Sequence, residues 1–164
     1  MPRYAQNTEV SVERSQSEIK AIVMRYGAIR YATMDDPETA MVMFEIANRR
    51  IRFELPLPDR KADKYTLRKV NQSHYTERRS DVDAYKLWEK DCRQRWRALA
   101  LIVKAKLEAV ETGITTIERE FMANIVLPNG QVIGDFIAPQ LEAVYSTGQM
   151  PKMIPGVGET GASN

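Results

Sequence analysis

The chain has 164 residues, 43% of them apolar and 28% charged, with 24 Lys plus Arg against 22 Asp plus Glu and a net charge of +2. That balance belongs to a folded domain and excludes a wholly disordered chain. One cysteine and one histidine exclude a disulfide scaffold and a Cys/His zinc site, and no apolar run approaches the roughly 18 residues of a membrane span.

The near-neutral total hides a segregation of charge. Residues 1–59 carry 8 basic and 9 acidic side chains, residues 60–106 carry 14 and 6, and residues 107–164 carry 2 and 7. The middle is strongly basic and the C-terminal part acidic. The first residues lack the basic and apolar regions of a signal peptide, so the expected location is the cytoplasm.

Residues 1–9 are polar and aperiodic and read as a loose arm. From Ser11, a residue type that caps helices, Val12, Ser15, Ile19, Ile22, Val23 and Tyr26 recur at helical steps up to Gly27. Three strands follow. Residues 28–34 form the first, and Asp35-Asp36-Pro37 is a turn. Residues 39–47 form the second, with Val42, Phe44 and Ile46 on one face and Met41, Met43 and Glu45 on the other. Asn48-Arg49 is a compact reversal. Residues 50–57 form the third, Ile51, Phe53, Leu55 and Leu57 opposing Arg50, Arg52 and Glu54. Pro56 lacks an amide and places this end at a sheet edge. Short turns between consecutive strands predict an antiparallel meander.

Residues 58–80 lose periodicity and carry Arg60, Lys61, Lys64, Arg68, Lys69, Arg78 and Arg79 among Tyr65, Leu67, Val70 and Tyr75. They read as a long basic loop. Residues 81–112 then form a helix about 45 Å long, capped by Ser80 and stopped by Gly113. Its apolar stripe runs through Tyr85, Trp88, Cys92, Trp96, Leu99, Val103, Leu107 and Val110. A three-stranded sheet alone does not cover that length, so part of the stripe should meet another helix or another subunit. Thr115 with Glu118 fits a capping box for a short helix to about Asn124. Residues 125–133 suggest a small hairpin around Asn129-Gly130, and residues 135–147 a helix with Pro139 near its first turn. Residues 149–164 read as a flexible tail. The expected fold class is therefore α+β: an N-terminal helix, a three-stranded antiparallel sheet, a long helix, then short C-terminal helices with a small hairpin. A single domain would span residues 10–148.

The clearest functional signal is a basic stripe on the long helix. Lys86, Lys90, Arg93, Arg97 and Lys104 fall near one face, away from most of the apolar stripe. Such a line can follow phosphates without choosing bases. The competing reading is a solvated surface whose Arg stems shield Trp88 and Trp96. Arg68, Lys69, Arg78 and Arg79, interleaved with Tyr65, His74 and Tyr75, would add charge and stacking to a flexible strand; the alternative is a linker whose aromatics pack locally. Arg49, Arg50 and Arg52 either extend this surface or solubilise a hairpin. Trp88 and Trp96 read as core or subunit contact, and Cys92 as a small buried hydrophobe. Catalytic signals are poor. Asp35, Asp36 and Glu38 cluster at a turn and would bind a divalent metal only if other oxygen ligands converge on them, and no Gly-rich phosphate loop is present. No cofactor, metal or catalytic residue is expected.

Residues 52–60 (RFELPLPDR), 92–121 (CRQRWRALALIVKAKLEAVETGITTIEREF) and 124–145 (NIVLPNGQVIGDFIAPQLEAVY) resemble a family of short phage-encoded proteins. The resemblance implies genome replication, recombination or counter-defence in a host cytoplasm, and brings no catalytic residue. The order helix–strand–strand–strand–helix also resembles the double-stranded RNA-binding domain and, more loosely, strand-annealing proteins. The combined expectation is a non-catalytic nucleic-acid-binding protein, single-stranded DNA favoured over duplex, acting by phosphate neutralisation and possible as a homo-oligomer. The alternatives are a phage protein that inhibits or remodels a host protein, and a metal-dependent nuclease.

Overall fold

The structure, a computed structural model, describes residues 8–70 and 75–149. Most of the proposed arm, His74 and nearly all of the proposed tail lie outside the described residues.

Helix α1, Val12–Arg25, starts where Ser11 accepts a hydrogen bond from the Arg14 amide at 3.2 Å. Its stripe buries Ser15, Ile19 and Val23. Strands β1, Arg30–Asp35, β2, Thr39–Ile46, and β3, Arg49–Pro56, form an antiparallel sheet in the order β1-β2-β3. At the first turn the Asp36 carboxylate accepts from the Glu38 and Thr39 amides at 2.9 and 2.7 Å.

The second turn is Ala47-Asn48, one residue earlier than the sequence suggested, because Ile46 pairs with Arg49. Both turn residues have positive φ, 48° for Ala47 and 58° for Asn48. A two-residue hairpin of this kind matches the sheet twist, and asparagine tolerates it, but alanine pays a steric penalty there. Ala47→Gly is expected to stabilise the protein by about 0.5–1 kcal/mol, read as a raised urea midpoint at unchanged slope. A destabilised variant would count against this turn.

Alternation gives the sheet two unlike faces. Ala40, Val42, Phe44, Ile46, Ile51 and Phe53 are buried toward the helices, while Arg30, Ala32, Met34, Met41, Met43, Arg50 and Arg52 lie on the other face. Against the inner face packs the long helix α3, Asp81–Glu111, which also lies along α1. Trp96, Leu99, Ala100, Val103 and Leu107 are buried in one core cluster with Ile19, Val23 and Phe44.

The basic segment 58–80 is not one loop. It contains a helical turn α2, Asp63–Thr66, and a hairpin of β4, Leu67–Lys69, with β5, Thr76–Arg78. The pieces are too short to show a period. Tyr65 anchors them to α3: its ring is buried and its hydroxyl donates to Asp91 at 2.6 Å.

After α3, helix α4, Ile117–Phe121, is capped by Thr116 rather than Thr115, and runs into a 3-10 turn at Met122–Asn124. Ile117 and Phe121 cover the C-terminal part of the α3 stripe. This answers, within the chain, the excess length of that stripe. A small hairpin follows, closed by Leu127 donating to the Gln131 carbonyl at 2.7 Å and by the bridge Val126–Val132. It adds to the β3 edge, where the Val126 amide donates to the Arg50 carbonyl at 2.8 Å. The last helix is α5, Ile133–Thr147, and Pro139 sits in its interior rather than its first turn. The architecture is the expected α+β arrangement.

Candidate nucleic-acid interface

Three chain segments build a basic concavity at the N-terminal end of α3. Ser80 caps that helix, its hydroxyl accepting from the Asp83 amide at 3.1 Å. The hairpin is held beside it by the Arg79 amide donating to the Thr66 carbonyl at 2.7 Å and the Arg79 guanidinium donating to the Leu67 carbonyl at 3.2 Å. The approach to α2 is fixed by the Trp88 indole, which donates to the Pro58 carbonyl at 2.7 Å, and by Arg95, which donates to the Pro56 carbonyl.

These braces enclose a cavity of about 360 Å³ lined by Arg60, Lys61, Thr66, Arg78, Asp81 and Ala84. Three cations thus face one carboxylate. The Arg60 guanidinium stands 4.9 Å from the Tyr85 ring centroid and 5.9 Å from that of Trp88. Tyr85, placed by sequence on the apolar stripe, is 41% exposed and offers part of its ring to solvent. The Arg78–Asp81 contact is long, 3.9 Å, between almost fully exposed side chains, so water screens it heavily.

Behind the concavity lies a locked pair. Lys64 donates to Asp91 at 2.9 Å, and the Tyr65 hydroxyl shares the same carboxylate oxygen. Burial works to raise the Asp91 carboxyl, but the hydrogen bonds from Tyr65 and Lys64 outweigh it and hold it below the usual carboxylate value. The Tyr65 hydroxyl is raised by burial and by its bond to Asp91. Tyr65 therefore anchors the hairpin, and its ring faces the Lys64 ammonium 4.4 Å away. Being 2% exposed, it does not offer the stacking surface expected of it. Tyr75, just before β5, is 77% exposed.

The predicted cations divide into two groups. At about 100° per residue, Lys86, Lys90, Arg93 and Arg97 fall on the side of α3 opposite to Asp81 and Ala84. The helix stripe and the hairpin concavity therefore do not form one continuous patch. Within the stripe, Arg93 is bonded to Glu89 at 3.2 Å and Arg97 to Glu18 on α1. Lys86 and Lys90 have no carboxylate partner among the described residues. On the hairpin, Arg68 is held by Glu77 at 2.9 Å, whereas the exposed Lys69 has no such partner among the described residues. Arg60 and Tyr85 meet across a separation of about 25 positions, Lys61 lines the same cavity as Arg60, and in the sequence only the i, i+3 spacing of Tyr85 and Trp88 points to a shared surface.

Elsewhere the chemistry is quiet. The Cys92 thiol is buried, and that burial pushes it up to about 11, which leaves it protonated as a small hydrophobe. Among the described residues no group of three His, Cys, Asp or Glu side chains is placed to hold a metal ion, and no helix is long and apolar enough to cross a membrane. No protein-family model, curated protein or solved structure matches the chain.

Proposed function

We propose that this chain is a non-catalytic nucleic-acid-binding protein that neutralises phosphates, single-stranded DNA being favoured over duplex. The observation that carries the reading is the concavity in which Arg60, Lys61 and Arg78 face a single carboxylate. Part-exposed Tyr85 stands beside it, 4.9 Å from the Arg60 guanidinium. Cations that follow a backbone next to accessible aromatic faces suit a flexible strand, whose bases can turn onto the rings. Lys69 extends this surface along the hairpin, and Lys86 and Lys90 supply a second contact line on the far side of α3. Arg68, Arg79, Arg93 and Arg97 act first in bracing the fold and join the interface only by exchanging their present partners. Nothing in this arrangement reads base edges, so the binding is expected to be indifferent to sequence. The resemblance of residues 52–60, 92–121 and 124–145 to short phage proteins supports a place in phage DNA metabolism, within the host cytoplasm.

The test is fluorescence polarization with labelled single-stranded DNA, duplex DNA and RNA across a salt series. About five phosphate contacts give a log–log slope of roughly −3.5 for single strands. Changing Lys61, Lys69 and Arg78 together to Ala is expected to flatten that slope by about 2 and weaken binding at least tenfold at moderate salt. The Lys86/Lys90 double Ala variant should have the smaller effect. If the ranking reverses, the helix stripe is the main interface. If wild type shows no saturable binding at low salt, the reading fails and a protein partner, recognised through the same charge segregation, replaces it.

A further inference from the structure

We infer that helix α5 of one copy docks on the open sheet face of a second copy, so that the protein associates head to tail. The contact shares no residue with the proposed nucleic-acid surface.

Helix α5 obtains little support from its own chain. None of its fifteen residues is buried, and Phe136, Leu141 and Tyr145 are 48%, 47% and 88% exposed. Its tertiary contact is mainly with the 3-10 turn before the hairpin, where Gly134 packs so close that an added Cβ would stand 2.9 Å from the Ala123 carbonyl oxygen. Pro139 also removes one internal hydrogen bond. A helix of this length is marginal in water without a packed face.

The sheet offers the complementary surface. Its outer face presents Ala32, Met34, Met41 and Met43, with Met34 61% exposed. A depression of about 400 Å³ lies there between Arg30, Ala32, Met43, Glu45 and Arg50, and a second of about 370 Å³ adjoins it beside Arg49 and Pro128. Methionine suits such a surface because its unbranched chain repacks around an incoming side chain.

Size and charge both favour a second copy as the occupant. A fifteen-residue helix is about 22 Å long, and the eight-residue strand β2 about 26 Å, so the helix fits along the sheet. Arg30, Arg49 and Arg50 rim the depressions. Glu45 holds Arg30 at 3.3 Å and Glu118 meets Arg49 at 3.7 Å, so Arg50 is the rim cation without a carboxylate partner among the described residues. Residues 121–149, by contrast, carry Asp135 and Glu142 and no Lys or Arg. Asp135 and Glu142, seven positions apart, line one edge of the Leu141–Tyr145 surface, placing negative charge beside the basic rim. Each copy has one helix and one face, so the contact is heterologous and propagates into an open chain or closes into a ring.

Complementation by light scattering on the full chain, without nucleic acid, tests this directly. Wild type is expected to rise above 18.8 kDa with concentration. A helix variant, L141D/Y145D, and a face variant, R50E, should each associate at least tenfold more weakly. Mixed one to one, they retain one intact helix and one intact face, and are expected to form a dimer that grows no further. Circular dichroism confirms that both variants are folded, and Met43→Glu is the second face variant should R50E misfold. Wild type that stays monomeric to hundreds of micromolar overturns the inference. So does a mixture that does not pair, and so does a face variant that dimerises as wild type does, which would mean α5 pairs with itself.

Discussion

Replacing Trp96 with Ala is expected to destabilise the protein by about 3–5 kcal/mol, the range for deleting a buried aromatic ring. Trp96 is 1% exposed and lies in the core cluster shared by α1, the inner sheet face and α3. The residues around it come from three elements that cannot collapse independently, so most of the cavity would persist. With total stability for a domain of this size near 5–15 kcal/mol, that loss is a large share of the whole. It corresponds to a fall in melting temperature of roughly 8–16 °C for a loss near 4 kcal/mol. Urea titration measures it, and a loss below about 1 kcal/mol would mean the indole does not sit at the centre of the core. Trp88 serves as the internal contrast. It is only partly buried and braces the approach to α2 through its bond to Pro58, so its removal should loosen the basic concavity more than the core.

Phe121→Ala is expected to cost a similar amount, about 3–5 kcal/mol, for a different reason. Phe121 is fully buried and meets Phe44 edge-on at 5.9 Å and Phe53 at 6.2 Å. Edge-to-face pairs add about 0.5–1.5 kcal/mol beyond burial. The Lys106 ammonium also stands 5.6 Å from the ring and donates to the Glu120 carbonyl at 2.6 Å. This one ring therefore ties α4 to the sheet and to α3. Its loss should raise amide exchange across residues 114–149 more than across α1. Uniform exchange throughout the chain would show that α4 is not held separately. Phe121→Leu, which keeps most of the apolar volume, is expected to recover much of the stability.

Local pattern was enough to read the principal elements. The alternation of Ile51, Phe53 and Leu55 against Arg50, Arg52 and Glu54 identified β3 and its buried face, because a strand's side-chain period is two and a core lies on one side. The three- and four-residue steps from Trp96 to Leu107 identified the buried side of α3. Ser11 and Ser80 marked two helix starts, since a hydroxyl beside the first free amides is a local interaction. The limits of this reading were also local: one residue at the Ala47-Asn48 turn, where strand pairing sets the register, and one at the α4 cap, where Thr115 and Thr116 carry the same hydroxyl.

The tertiary structure decided the rest, and distance along the chain is the reason. Tyr65 is an anchor because Asp91, 26 positions away, holds its hydroxyl. Arg60 meets Tyr85 only because α2 and α3 pack together. The basic residues of the hairpin and those of the α3 stripe are near in sequence yet stand on opposite sides of one helix. Arg93 and Arg97 look like free cations in the sequence, but Glu89 and Glu18 already hold them. Composition and period report which residues a chain can bury. Which charges remain unpartnered, and which of them share a surface, follows from contacts between distant segments, and those form only when the whole core closes.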